Sequence, residues 1–534
     1  MNKIQLKNFA IWARKKLIAD IELKASLIGI SKDGIQQPSD ASTSDLQFFE
    51  INGHITTLEG KDIQKRKTIV DKIRQKEEDT DYKTAFNYIV EEVAYTWFNR
   101  LIAIRYMEIN NYLPSRTRVL SSSDNTEPEI LKNYLDADLN LNEKEIEKIE
   151  QYKEEHKPDE LFAFLFLKQC NALNEILPEL FDNSLDYMEI LLRIDFTSKE
   201  SVVYKLVNEV DEENFEDVEG VGWLYQYYNT EKKEQIDADV KKNIKITKET
   251  LPIKTQLFTP DWIVKYMVEN SLGRLWLEKE ENEDLKNSWK YYIEEAEQET
   301  EVKEQLEEIR KGYKNLDIEE IKIIDPCMGS GHILTYTFDV LMQIYESKGY
   351  STREAVKSII ENNIYGIELS KRAYQLAYFA IMMKARQYDS RVFRRELKTN
   401  LCYAEEKSEI KFVEKFGSEQ LIQCVRDLED SDLLGSLVET DATDYENLID
   451  TIENFNIIDL GVEYSNAPEK RIAILKNQLV VHKLLSQKYD VVITNPPYLG
   501  NRYINDKLKK YLEKNYIDSK ADLFSACMER FSKM

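Results

Sequence analysis

Three short apolar runs, each stopped by a residue that can hydrogen-bond, constrain this chain more than any other feature. Ile321-Lys322-Ile323-Ile324-Asp325 leads into the turn Pro326-Cys327-Met328-Gly329-Ser330-Gly331. Ile364-Tyr365-Gly366-Ile367 ends on Glu368, and Tyr489-Asp490-Val491-Val492-Ile493-Thr494 ends on Asn495. Runs this short, rich in β-branched residues, read as strands. Stretches of helical character lie between them, Ile333 to Ser347 after the first and Glu469 to Ser486 before the third. Strand, helix, strand in that order predicts an α/β fold with a parallel, doubly wound sheet covered by helices.

The front of the chain has a different texture. Ile4, Ile11, Trp12, Leu17, Ile18 and Ile21 fall near helical spacing, and Ala85 to Met107 is long and aromatic enough to be a buried central helix. Ser31 to Asp45 is polar and reads as a loop. Asn142 to Lys157 alternates Glu and Lys, the pattern of a solvated helix with i,i+4 pairs. The texture changes near Lys245. The expected organisation is a mainly helical domain over 1–244 and the α/β domain over 245–534, with a helical insertion at about 275–320 that carries no chemistry.

Composition limits what such a chain can do. Its 534 residues exceed one hydrophobic core, and 42% apolar residues are ample for two. No apolar run approaches the roughly 20 residues of a membrane span, and the start lacks a signal core, so no membrane partner and a cytoplasmic location are expected. Five cysteines without a C-x-x-C pair and four scattered histidines give no disulfide framework and no metal site. The net charge of −25 opposes non-specific attraction to nucleic acid. If the chain handles DNA, a local basic groove, a partner or a further part must supply the attraction.

The strand ends carry the chemistry. In Asn495-Pro496-Pro497-Tyr498 the prolines lack backbone donors and fix φ, so the tetrapeptide is stiff. Its tip can present the Asn495 amide oxygen and the Pro496 carbonyl as two acceptors for the two hydrogens of an exocyclic amine, and Tyr498 offers a face to a base taken out of a helix. An ordinary Asn-Pro turn is the bland alternative. Glycines in Asp325-Pro326-Cys327-Met328-Gly329-Ser330-Gly331 allow close approach to a ligand, although neither a P-loop nor a full dinucleotide fingerprint is present. Glu368, at a strand end, can bind a ribose diol or cap the surface. Upstream, Thr259-Pro260-Asp261-Trp262-Ile263 reads as a helix start with Thr259 as N-cap and Pro260 at the first helical position.

Together, T-P-D-W-I, D-P-C-M-G-S-G, the strand-end acid and N-P-P-Y resemble, in that order, the amino-group DNA methyltransferases of the adenine-specific type. The stretch A-Y-T-W-F-N-R-L-I-A-I-R-Y-M-E-I-N-N-Y-L-P from Ala94 resembles the helical front of the large BREX phage-defence methyltransferases (PglX-like), and is similar to the methylase part of fused restriction–modification enzymes. The resemblance implies a Rossmann-like fold and S-adenosylmethionine (SAM) as cofactor. It implies that Thr259, Pro260, Asp325, Pro326, Gly329, Gly331 and Glu368 line the cofactor pocket, with Glu405 as the acid near the adenine ring. Asn495, Pro496, Pro497 and Tyr498 then form the target-base site for adenine N6, without a metal. The implied partner is double-stranded DNA with a flipped adenine, alongside other defence-system subunits or a C-terminal part, because the sheet is expected to be incomplete at the C-terminus. Two rivals stay open: a methyltransferase acting on RNA or protein glutamine, and a non-catalytic partner-binding subunit of a defence complex.

Overall fold

A computed structural model describes residues 1–534 except 52, 79, 125, 126, 462, 463 and 465–467. The chain divides into two compact units, Met1–Thr230 and Glu231–Met534. The division falls before the change of texture at Lys245. The helix Thr230–Lys241 belongs largely to the second unit, since Ile236 and Val240 pack against the apolar core of that unit and Lys233 Nζ donates to the Gln256 carbonyl.

The first unit is built mainly of helices. Lys3–Leu27 and Tyr82–Ile109 are the long ones, and the second buries nearly every side chain from Val93 to Glu108, as its aromatic run requires. Two hairpins interrupt this pattern: β1 (Ile30–Ser31) with β2 (Gly34–Ile35), and β3 (Leu46–Ile51) with β4 (His54–Glu59), paired Phe49 to Thr56 and Ile51 to His54. The polar reading of Ser31 to Asp45 as loop therefore misses β2. Asn52-Gly53 is the dipeptide that tight hairpins favour, and Gly53 adopts φ 79°.

The second unit holds a parallel sheet of β5 (Ile323–Asp325), β6 (Ile364–Glu368), β7 (Asn400–Tyr403) and β8 (Val491–Val492), in the order β7-β6-β5-β8. The chain builds outward from β5 through β6 to β7, then returns to add β8 on the other side of β5. Both faces are covered, which explains why the strands are apolar almost throughout. On one face Ile324, Tyr365, Ile367 and Cys402 pack with Val481 and Leu485 of the helix Pro468–Ser486 and with Leu523, Ala526 and Phe531 of the helix Leu523–Phe531. On the other, Gly366 leaves room for Leu334 of the helix His332–Ser347; a Cβ at Gly366 would meet Met328 Sδ at 2.4 Å and Leu334 Cδ1 at 3.0 Å. Residues after Tyr498 are part of this core, and the Met534 carbonyl accepts from the Tyr489 N–H at 3.0 Å. The stretch 275–320 contains the helices Glu283–Ser288 and Thr300–Tyr313. Among the described residues no helix is long and apolar enough to cross a membrane.

Candidate functional site at the carboxyl edge of the sheet

Because all four strands run the same way, their carboxyl ends lie along one edge. Asp325 ends β5, Glu368 ends β6, Glu405 follows β7 by two residues, and Asn495 follows β8 by three. The strand order reverses between β6 and β8 around β5, the place where open α/β sheets leave a crevice for ligands.

The glycine turn after β5 is shaped by backbone rather than side chains. Gly329 and Gly331 have φ 55° and 82°, a left-handed conformation that costs other residues about 1–2 kcal/mol. Gly331 opens the helix His332–Ser347, and a Cβ there would stand 3.0 Å from Ala377 Cα of the helix Lys371–Tyr388. At Gly329 a Cβ would meet nothing within 4 Å, so that side of the turn is open. The Gly329 N–H donates to Glu368 Oε2 at 2.8 Å, and the Ser370 N–H to Glu368 Oε1 at 3.1 Å, which holds the acid beside the turn. Glu405 Oε2 accepts from the Lys371 N–H at 2.8 Å, at the start of the next helix.

Electrostatically the edge is poorly compensated. Asp325 is 1% exposed, its Oδ1 accepts from the Cys327 N–H at 3.1 Å, and Oδ2 makes no hydrogen bond of good geometry. Burial pushes its carboxyl up to about 7; the nearby Thr494 hydroxyl and the Cys327 N–H pull back, and the Glu368 charge adds to the rise. Burial likewise raises Glu368, against its backbone donors, with the Glu405 charge adding to it. Among the described residues neither Asp325 nor Glu368 pairs with lysine or arginine; Lys371 Nζ turns instead to Glu406 at 3.1 Å. Three carboxyl groups along one edge, Asp325 buried and Glu368 half-buried and neither paired with a cation among the described residues, favour a ligand that brings positive charge and hydroxyl donors.

The Asn-Pro-Pro-Tyr segment adjoins the Thr-Pro segment. Asn495 Nδ2 donates to Thr259 Oγ1 at 3.1 Å, and the Tyr498 hydroxyl donates to Asn495 Oδ1 at 2.8 Å. Thr259 is not the N-cap the sequence suggests. Pro260 takes that position and the helix starts at Asp261, because the Thr259 hydroxyl is engaged by Asn495. The Tyr498 ring is 54% exposed and lies 5.8 Å from that of Phe524, itself 37% exposed. Phe524 was not legible as a site residue, since nothing local marks it; the pairing of Gly500 with Asp522 and the bond from the Leu523 N–H to the Leu499 carbonyl bring it near. Among the described residues no group of three His, Cys, Asp or Glu is placed to hold a metal ion. A cavity of about 360 Å³ lies elsewhere, in the first unit, between Lys65, Lys168 and Glu189.

Known proteins match this chain in sequence. The family model of the Eco57I restriction-modification methylase matches residues 362–534, and that of the MmeI DNA-methyltransferase domain matches 293–412. Over 100% of its length the chain is 38% identical to the adenine-specific methyltransferase PglX of Lacticaseibacillus casei (strain Zhang), of which it covers 46%. Over 99% of its length it is 35% identical to the adenine-specific methyltransferase BrxX of Escherichia coli O9:H4 (strain HS), of which it covers 45%. A putative type II restriction enzyme and methyltransferase of Methanocaldococcus jannaschii is 26% identical over 52% of the chain and 24% of that protein. The chain thus spans about half the length of the PglX and BrxX relatives. Its relationship to these adenine-specific methyltransferases bears out the resemblance read from the motifs, and the parallel sheet between helices is that of an α/β methyltransferase.

Proposed function

We propose that this chain carries the catalytic part of a SAM-dependent DNA methyltransferase that modifies adenine at N6, in phage defence or restriction–modification. The observation that carries the proposal is the convergence, on one sheet edge, of an open glycine turn, three carboxyl groups and the Asn495 amide. The names of the PglX and BrxX relatives support the same reading. The sheet is read as the Rossmann-like, doubly wound core of a methyltransferase domain over 245–534, preceded by the helical domain.

The residues fit SAM, whose sulfonium and ammonium are cations and whose ribose carries a diol. Thr259, Pro260, Pro326 and the two glycines would line its pocket, Asp325 would face its positive charge, Glu368 would accept from the ribose hydroxyls, and Glu405 would lie toward the adenine ring. Bound there, SAM supplies a methyl group already activated on sulfur, which an amine takes in a single displacement as the sulfur–carbon bond breaks. The chain's part is positioning. The Asn495 amide oxygen and the Pro496 carbonyl accept the two amine hydrogens and shift lone-pair density onto nitrogen, while Pro497 keeps the tip rigid. Tyr498 stacks on the flipped base, with double-stranded DNA as the partner.

Asn495→Ala tests this directly. Transfer of labelled methyl from SAM into unmethylated genomic DNA should fall by roughly a hundredfold or more, while SAM affinity stays within about threefold. Equal transfer by the variant contradicts the role given to Asn495.

A further inference from the structure

We infer that Thr259 is a positioning residue for the target base, its hydroxyl anchoring the Asn495 amide that meets the substrate amine. The inference rests on the methyltransferase reading above and gives Thr259 a task beyond lining the cofactor pocket. A side-chain amide has an acceptor end and a donor end of nearly the same shape, and only the acceptor end can take a hydrogen from an exocyclic amine.

Two hydrogen bonds hold the Asn495 amide, one at each end, and they differ in permanence. The Tyr498 hydroxyl donates to Oδ1 at 2.8 Å, but from a ring that is 54% exposed. A base that stacks on this ring needs Oδ1 for its own amine, so the tyrosine hydroxyl is a placeholder that must leave. The other bond, Nδ2 to Thr259 Oγ1 at 3.1 Å, reaches across 236 residues of sequence to a side chain only 7% exposed. The backbone behind it is fixed as well. The Thr259 carbonyl accepts from His332 Nδ1 at 3.0 Å, and the His332 ring stacks on Phe258 at 4.4 Å and 8°. His332 directly follows Gly331, so the anchor of the amide is tied to the turn that would hold the cofactor. Once Tyr498 has moved, the bond to Thr259 still anchors the Asn495 amide beside the base.

The test is steady-state methyl transfer into unmethylated genomic DNA by the 534-residue chain and by Thr259→Val, Thr259→Ser and Tyr498→Phe, with SAM affinity by calorimetry and melting temperature for each. Thr259→Val keeps the shape and removes the acceptor; kcat should fall roughly 10- to 100-fold, with SAM affinity and KM for DNA within about threefold. Thr259→Ser restores the oxygen and should return most of the kcat. Tyr498→Phe keeps the stacking face, frees Oδ1 and should lower KM for DNA. Wild-type kcat in Thr259→Val overturns the inference. So does a loss of SAM affinity parallel to that of kcat, which would leave Thr259 with the cofactor only. A wild-type chain that binds SAM and methylates no DNA breaks the underlying reading instead, and this inference with it.

Discussion

Two buried carboxyl groups, one in each unit, are treated in opposite ways. Glu108 in the first unit pairs with Arg105 Nη1 at 2.6 Å, and both side chains are almost wholly buried. It also accepts from the Ser121 hydroxyl at 2.9 Å and from the Val119 and Leu120 N–H groups, each at 2.8 Å. Asp325 in the second unit is equally buried, yet among the described residues it has one backbone donor on Oδ1, no good hydrogen bond on Oδ2 and no cation. A carboxylate that is filled holds its surroundings together; one left partly empty stores a free-energy cost that a ligand can relieve. The first is architecture, clamping residues 119–121 onto the long helix Tyr82–Ile109, and the second is a site.

The same carboxylate-to-amide change should therefore act with opposite sign at the two places. Glu108→Gln leaves Arg105 buried with, among the described residues, the half-exposed Glu212 at 3.2 Å as its remaining counter-charge, and should destabilise the first unit by about 3–5 kcal/mol. Hydrogen exchange over residues 94–122 would report it; unchanged protection there would break the comparison.

Asp325→Asn should instead stabilise the second unit at pH 8. The folded carboxyl titrates near 7 where the ordinary value is 3.8, so the fold binds a proton that the unfolded chain has already released. Native stability then rises as pH falls through about 7 toward 4, by as much as about 4 kcal/mol from this group. The amide lacks that dependence. Its advantage over wild type in urea unfolding should be largest at pH 8 and gone near pH 4, and a gap independent of pH would show that Asp325 is compensated after all.

The smallest effect is expected at the glycine turn. Gly331→Ala puts a Cβ 3.0 Å from Ala377 Cα in a left-handed conformation and should cost about 1–2 kcal/mol, read as a lowered midpoint in the same unfolding.

The site edge was legible in the sequence because strand ends announce themselves. Short, mostly apolar runs that stop at Asp325, Glu368 and Asn495 read as buried strands in a parallel sheet, and glycine is the residue for the turn between Asp325 and His332. What remained hidden depends on partners distant along the chain. The Thr259 hydroxyl reads as an N-cap, whereas in the fold it accepts from Asn495, and Phe524 nears Tyr498 through the pairing of residues 499–501 with 521–523. Nor does Glu108 reveal in a helical run that it will meet Ser121 and the backbone beyond it. The hairpin Leu46–Ile51 with His54–Glu59 was the exception, a local signal at Asn52-Gly53 masked by the helical texture around it.

Calorimetric titration of SAM into the 534-residue chain and into Asp325→Asn tests most directly whether the partly empty carboxyl edge is a ligand site. Saturable binding to the wild type, weakened roughly tenfold or more in a variant that is folded and no less stable, is the expected result. No binding by the folded wild-type chain, or equal affinity in the two proteins, would contradict it.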